Sequence, residues 1–172
     1  MTILSSGALT SATLLEQSHA NIYNLINSRS NVPDPADSSG TRKFVHVRMP
    51  RTTGRHFAGY PFIIVHRTRL GKGKSLIGLT KSFIDYNISI EVYTQDSSSN
   101  SSGNPNGSEQ INQIVDDIRE TLDNVTNKKT LLSYGMSRIR YDIDVDSEDI
   151  EGKSTFYAEI DLRFENNLST TG

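Results

Sequence analysis

"FIDYNISIEVYTQ", residues 83–95, decides the fold. Ile84, Tyr86, Ile88, Ile90 and Val92 alternate with Asp85, Asn87, Ser89 and Glu91, the two-residue period of a strand whose successive side chains point to opposite faces. One face of this strand needs an apolar cover, and the cover has to come from elsewhere in the chain.

Downstream lies the polar, low-complexity "DSSSNSSGNPNGS" (96–108), and after it "EQINQIVDDIRETLDNVTNKK". There Ile111, Ile114, Val115, Ile118, Leu122 and Val125 form one stripe, and Asp116, Asp117, Arg119, Glu120 and Asp123 face water. Ser108 is the expected N-cap, with Lys128 and Lys129 in the last turn, where cations suit the negative dipole end. "SRIRYDIDV" (137–145) and "TFYAEIDLRF" (155–164) resume the alternation. They should bury Ile139, Tyr141, Ile143 and Val145 on one strand and Phe156, Ala158, Ile160, Leu162 and Phe164 on the other. The acidic "DSEDIEGK" between them reads as a hairpin connection.

Upstream, "YPFIIVHRT" (60–68) is a continuous apolar run, the mark of a strand covered on both faces, and "KFVHVRM" (43–49) is a shorter strand. Residues 10–28 have helical periodicity, with Leu15, Ile22 and Ile26 sharing a face and Thr13 and Glu16 at capping-box spacing. The whole reads as one α+β domain over residues 1–172, a mixed sheet of four to five strands with two amphipathic helices on one face. The apolar faces of strands and helices have only each other to bury against. The helical crossover should leave strands 83–95 and 137–145 parallel, and the last two strands antiparallel. Residues 1–9, 96–107 and 165–172 are expected to be mobile or frayed.

Composition narrows the function classes. The chain has 172 residues, with 18 Lys plus Arg against 20 Asp plus Glu, a formal net charge of −2. That balance disfavours a binder whose affinity comes from neutralising many phosphates. With no cysteine, disulfides, thiolate metal sites and a cysteine nucleophile are excluded. No basic leader followed by an apolar run opens the chain, and no stretch approaches the ~20 apolar residues of a membrane helix. A soluble protein made in a cytoplasm is expected.

"RLGKGKSLIG" (69–78) resembles the end of a phosphate-binding loop, with Lys74 as its lysine. A Walker A loop needs a glycine five residues before the Gly of Gly-Lys-Ser; counting back from Gly73 reaches Thr68. The loop must also open a helix, yet strand sequence follows. A small nucleotide-binding or hydrolytic protein using Lys74 therefore stays a distant alternative, and the stretch reads as a basic turn. An EF-hand starting at Asp144 would want glycine at position 149 and glutamate at 155, where the chain has Asp149 and Thr155. His19, His46, His56 and His66 lack metal-ligand spacing, and no nucleophile elbow occurs. No catalytic residue, cofactor or metal is predicted.

Charge is divided along the chain. Arg42, Lys43, Arg48, Arg51, Arg55, Arg67, Arg69, Lys72 and Lys74 precede the long strand, and acidic residues concentrate from Asp116 onward. A chain of this kind can satisfy itself head to tail in a ring. Arg51, Arg55, Lys72, Lys74, Asp142 and Asp144 are the candidate interface residues.

The element order of a helix, "YPFIIVHRT", "SFIDYNISIEVYTQD", a polar gap, "INQIVDDIRETL" and a closing "YAEIDLRF" resembles the tail-terminator (tail completion) proteins of long-tailed bacteriophages. The likeness spans roughly residues 10–165 and carries no short diagnostic motif. It implies a non-enzymatic virion protein, assembled in the host cytoplasm, that forms a hexameric ring on the head-proximal end of the tail tube. Such a ring stops tube polymerisation and joins the tail to the neck. Its partners would be copies of itself, the tube protein and a neck or head-completion protein, with genomic DNA passing through unread. Loops at 50–59, 70–75 and 96–107 would make the contacts. A head–tail connector or head-completion protein is the alternative within the same class.

Overall fold

The computed structural model describes residues 4–10, 12–37, 39–50, 59–71, 84–96, 106–150 and 153–166. Its elements in chain order are α1 (Leu14–Ile26), β1 (Val45–His46), β2 (Phe62–Val65), β3 (Arg69–Leu70), β4 (Ile84–Gln95), α2 (Gly107–Asp123), α3 (Val125–Ser133), β5 (Ser137–Ile150) and β6 (Lys153–Asn166).

The fold is α+β, with a six-stranded sheet in the order β1-β2-β4-β6-β5 and β3 alongside β4. The strand count exceeds the expected four to five because Arg69 and Leu70, read as part of a turn, pair with Asn87 and Tyr86. Both β4 and β5 run antiparallel to β6, so they point the same way, as the crossover requires. They are not neighbours, because β6 returns between them. β1 and β2 form a parallel pair.

The alternation of β4 sorts as expected. Tyr86, Ile88, Ile90 and Val92 are buried in one core with Ile160, Leu162 and Phe164 of β6 and Ile63 and Val65 of β2. Ile22 and Ile26 of α1 and Ile111, Ile114, Ile118 and Leu122 of α2 complete that core, so these helices cover one sheet face. In α1 the expected face holds at Ile22 and Ile26, but in the first turn Leu14 is buried and Leu15 is exposed. Thr13 precedes α1 without a side-chain cap bond.

The second helical segment departs from its sequence reading at both ends. Its N-cap is Asn106, whose Oδ1 accepts from the Glu109 amide at 2.9 Å while Glu109 Oε2 accepts from the Asn106 amide at 3.3 Å. Ser108, the expected cap, sits two residues later and donates its hydroxyl to Asn106 Oδ1. Asn106→Ala should therefore cost about 1 kcal/mol and Ser108→Ala less than about 0.5 kcal/mol in urea unfolding; the reverse order would contradict this capping. The stripe also does not continue to Val125, which is exposed. Asn124 interrupts the helix and recaps it, accepting from the amides of Thr126 and Asn127, so Lys128 lies inside α3 and pairs with Asp123 at 2.7 Å.

The described parts of the segments expected to be mobile or frayed are better held than their polarity implies. The Asn21 side chain accepts from the Gly7 amide at 2.8 Å and donates to the Gly7 carbonyl at 2.9 Å. The Leu9 amide donates to the Tyr134 carbonyl, and the Leu9 side chain joins the core. Glu165 and Asn166, expected in a frayed tail, are buried in β6. The expected connection "DSEDIEGK" is mostly strand, since β5 runs to Ile150 and β6 begins at Lys153.

Candidate functional site

The sheet face away from the helices is where the chain places its charge. Cross-strand register arranges this face in rows. Arg140, Arg163, Asn87 and Arg69 lie side by side across β5, β6, β4 and β3. The next row holds Asp142, Asp161 and Ser89, and the one beyond it Asp144, Glu159, Glu91 and Ile64. Asp146, Tyr157, Tyr93 and Phe62 follow. A basic band thus borders two acidic bands and an aromatic one. Like charges directly opposite one another across strands are destabilising. Arg140 against Arg163, Asp142 against Asp161 and Asp144 against Glu159 therefore oppose folding unless partners offset them.

The two halves of this face answer that problem differently. On the β2–β4 side the carboxylates are clamped. Tyr93 donates to Glu91 Oε2 and Tyr157 to Glu159 Oε2, each at 3.1 Å, and Ser89 donates to Glu159 Oε1 at 2.9 Å. Burial first, then the Glu91 charge, pushes both phenol pKa values up, so both tyrosines stay protonated donors at any ordinary pH. His66 Nε2 lies 2.9 Å from Glu91 Oε1, at ion-pair distance but without hydrogen-bond alignment. The rings of Tyr60, Phe62, Tyr93 and Tyr157 form a chain with centroids 5.0–5.3 Å apart, and Phe62 and Ile64 are fully buried.

On the β5 side the charges stand in solvent. Arg140 and Arg163 have side chains 68% and 51% exposed, and Asp142 is 79% exposed. Their ion pairs within the chain are long: 3.5 Å for Arg163–Asp142 and 3.7 Å for Arg140–Glu165. Exposed pairs of this kind are worth ~0–1 kcal/mol. β5 also disappoints the sequence on its other face. Ile139, Tyr141 and Ile143 are only partly buried, and Val145 is 53% exposed. It is the terminal strand among the described residues, and α2 packs mainly over β4 and β6, meeting β5 only near its C-terminal end. Tyr141 spends its hydroxyl on Asp123 Oδ2 at 2.6 Å, and burial with that bond lifts its pKa to about 12.

Of the candidate interface residues, Asp142 and Asp144 lie on this open half, both exposed. Arg51, Arg55, Lys72 and Lys74 lie outside the described residues, as does most of each proposed contact loop. Arg163, Arg140, Asp161 and Glu159 were not singled out from the sequence, and Arg69 only as part of the basic upstream segment; strand register brings them into bands. His19 sits under the sheet with Nε2 3.1 Å from the Val65 carbonyl oxygen, and His46 packs edge-on to Phe62. Burial lowers the pKa of both, which suits structural histidines. Among the described residues no group of three or more His, Asp or Glu could hold a metal ion.

A cleft of about 210 Å³ between the N-terminal segment, α1 and α3 is lined by Asn21, Asn24, Asn31 and Asn127. Their amide donors already serve the carbonyls of Gly7, Leu4, Leu25 and Thr121. No helix among the described residues is long and apolar enough to cross a membrane. No protein-family model matches the chain, and comparison with curated proteins finds no match.

Proposed function

We propose that the chain is a structural subunit of a tailed-phage virion, a tail terminator that closes the head-proximal end of the tail tube as a ring and presents the surface that joins the tail to the neck. The observation that carries this reading is the banded, solvent-exposed outer half of the sheet on β5 and β6. Its opposed like charges gain from a partner bearing the complementary pattern. The α+β order of elements, with helices confined to one face, supports the likeness to that family. The mechanism is binding and occlusion. One face of the subunit fits the last layer of the tube, and the opposite face offers no equivalent seat for another layer.

Particles produced without this chain test the reading in electron micrographs. Tails of uncontrolled length, separated from heads, are expected. Normal, joined tails would contradict the proposal. Headless tails of normal, uniform length would instead indicate a head–tail connector.

A further inference from the structure

Among the described residues β5 is the outermost strand of the sheet, hydrogen-bonded on one side only, to β6. A long unpaired edge is a template for another strand, and proteins recruit such edges for recognition. Edge charges usually prevent this pairing, so their order along the strand matters. On β5 the order is "RIRYDID", residues 138–144. It is antisymmetric in charge about Tyr141: Arg140 is mirrored by Asp142, Arg138 by Asp144, and Ile139 by Ile143.

We propose that β5 pairs antiparallel with β5 of a second copy about a two-fold axis at Tyr141, joining two sheets edge to edge. In that register Arg140 stands opposite Asp142 of the other copy, and Arg138 opposite Asp144, each pair occurring twice by symmetry. Opposite charges directly across a strand pair are stabilising. Alternative registers are disfavoured by the same rule. Sliding the pairing by one step that preserves the faces sets Asp142 against Asp142, and the slide the other way sets Arg140 against Arg140. The register centred on Tyr141 avoids both.

The local structure is consistent with this use. A bulge between Ser137 and Arg140 interrupts the pairing with β6, and Arg138 there has φ +50°, a left-handed conformation uncommon for arginine. Bulges re-aim side chains at sheet edges. Glu165, with a side chain only 10% exposed, holds Arg138 at 3.2 Å and Arg140 at 3.7 Å. α2 packs mainly over β4 and β6 and reaches β5 at its C-terminal end, through the Tyr141–Asp123 hydrogen bond on the helix-facing side. An isologous contact cannot propagate round a ring, so this pairing is separate from the head-to-tail contact proposed above and stands or falls independently of it.

A charge swap tests the register. Sedimentation of the full chain should show a reversible dimer. Arg140→Asp or Asp142→Arg alone should weaken it roughly 10- to 30-fold, since each turns two attractions into repulsions. The double variant Arg140→Asp/Asp142→Arg should recover most of the affinity, with thermal melts confirming that all three fold. The absence of cysteine allows a second test. Antiparallel partners have Cα atoms ~4.5–5.5 Å apart, within disulfide reach. Tyr141→Cys should therefore cross-link to itself under mild oxidation, and the more exposed Val145→Cys should not. A wild-type monomer, single reversals without effect, a double variant as weak as the singles, or equal cross-linking at both positions would each overturn the proposal.

Discussion

Arg42→Ala should destabilise the fold by about 3–5 kcal/mol, the cost of leaving a buried charge without its partner. The Asp34 side chain is fully buried, and Arg42 binds it at both oxygens, Nε to Oδ2 and Nη2 to Oδ1, each at 2.7 Å. The same guanidinium donates to the carbonyls of Gly59 and Pro61 and lies over the Phe44 ring, 5.7 Å from its centroid. One side chain thus ties the loop after α1 to the entry of β2. For a chain of this size the loss corresponds to a fall in Tm of roughly 10 °C. Asp34→Ala with Arg42→Ala should cost clearly less than the sum of the single changes, because the two share one interaction. Thermal unfolding of all three variants checks this; additive losses would place the stabilisation elsewhere.

Phe164→Ala should cost a similar amount, about 3–5 kcal/mol. Phe164 is 1% exposed on the strand that β4 and β5 both flank. Its ring stacks on Tyr86 of the neighbouring strand with centroids 5.3 Å apart. Removing it opens a cavity between β4 and β6 that neither strand can close without losing register. Val145→Ala, on β5, should stay within about 0.5 kcal/mol, as surface substitutions do. Guanidinium unfolding separates the two. A small loss at Phe164, or a large one at Val145, would mean that the sheet order or its covered face is wrong.

These two positions mark what the sequence could and could not say. The alternation in β4 and β6 names their buried residues because both strands lie inside the sheet, with one face covered along most of the length. The same alternation in β5 names Ile139, Tyr141, Ile143 and Val145, yet a strand at the margin of the helix layer buries the first three only in part and leaves Val145 exposed. Periodicity reports which side chains share a face and says nothing about what covers it. The α2 stripe was legible, and its break was not, because Val125 continues the helical period while the Asn124 side chain ends one helix and caps the next. The capping error has a similar cause: Asn106 and Ser108 are both good caps by type, and only the bond to the Glu109 amide chooses between them.

The candidate surface was half visible. Asp142 and Asp144 stand out as an outward acidic pair on one strand. Their neighbours Asp161 and Glu159, and the arginine row beside them, come from segments brought together by register alone. Glu91 and Glu159 are 68 positions apart in sequence and directly opposite in space. No spacing rule applied to a single sequence reaches across that distance.

The proposal that the chain acts by capping a polymer is tested most directly by adding the purified protein to tube protein of the same phage during polymerisation. Electron microscopy should show tubes that stop lengthening, each with added density at one end, and the effect should saturate at a fixed ratio of this chain to tube ends. Tubes that lengthen at an unchanged rate, with both ends bare, would contradict the account.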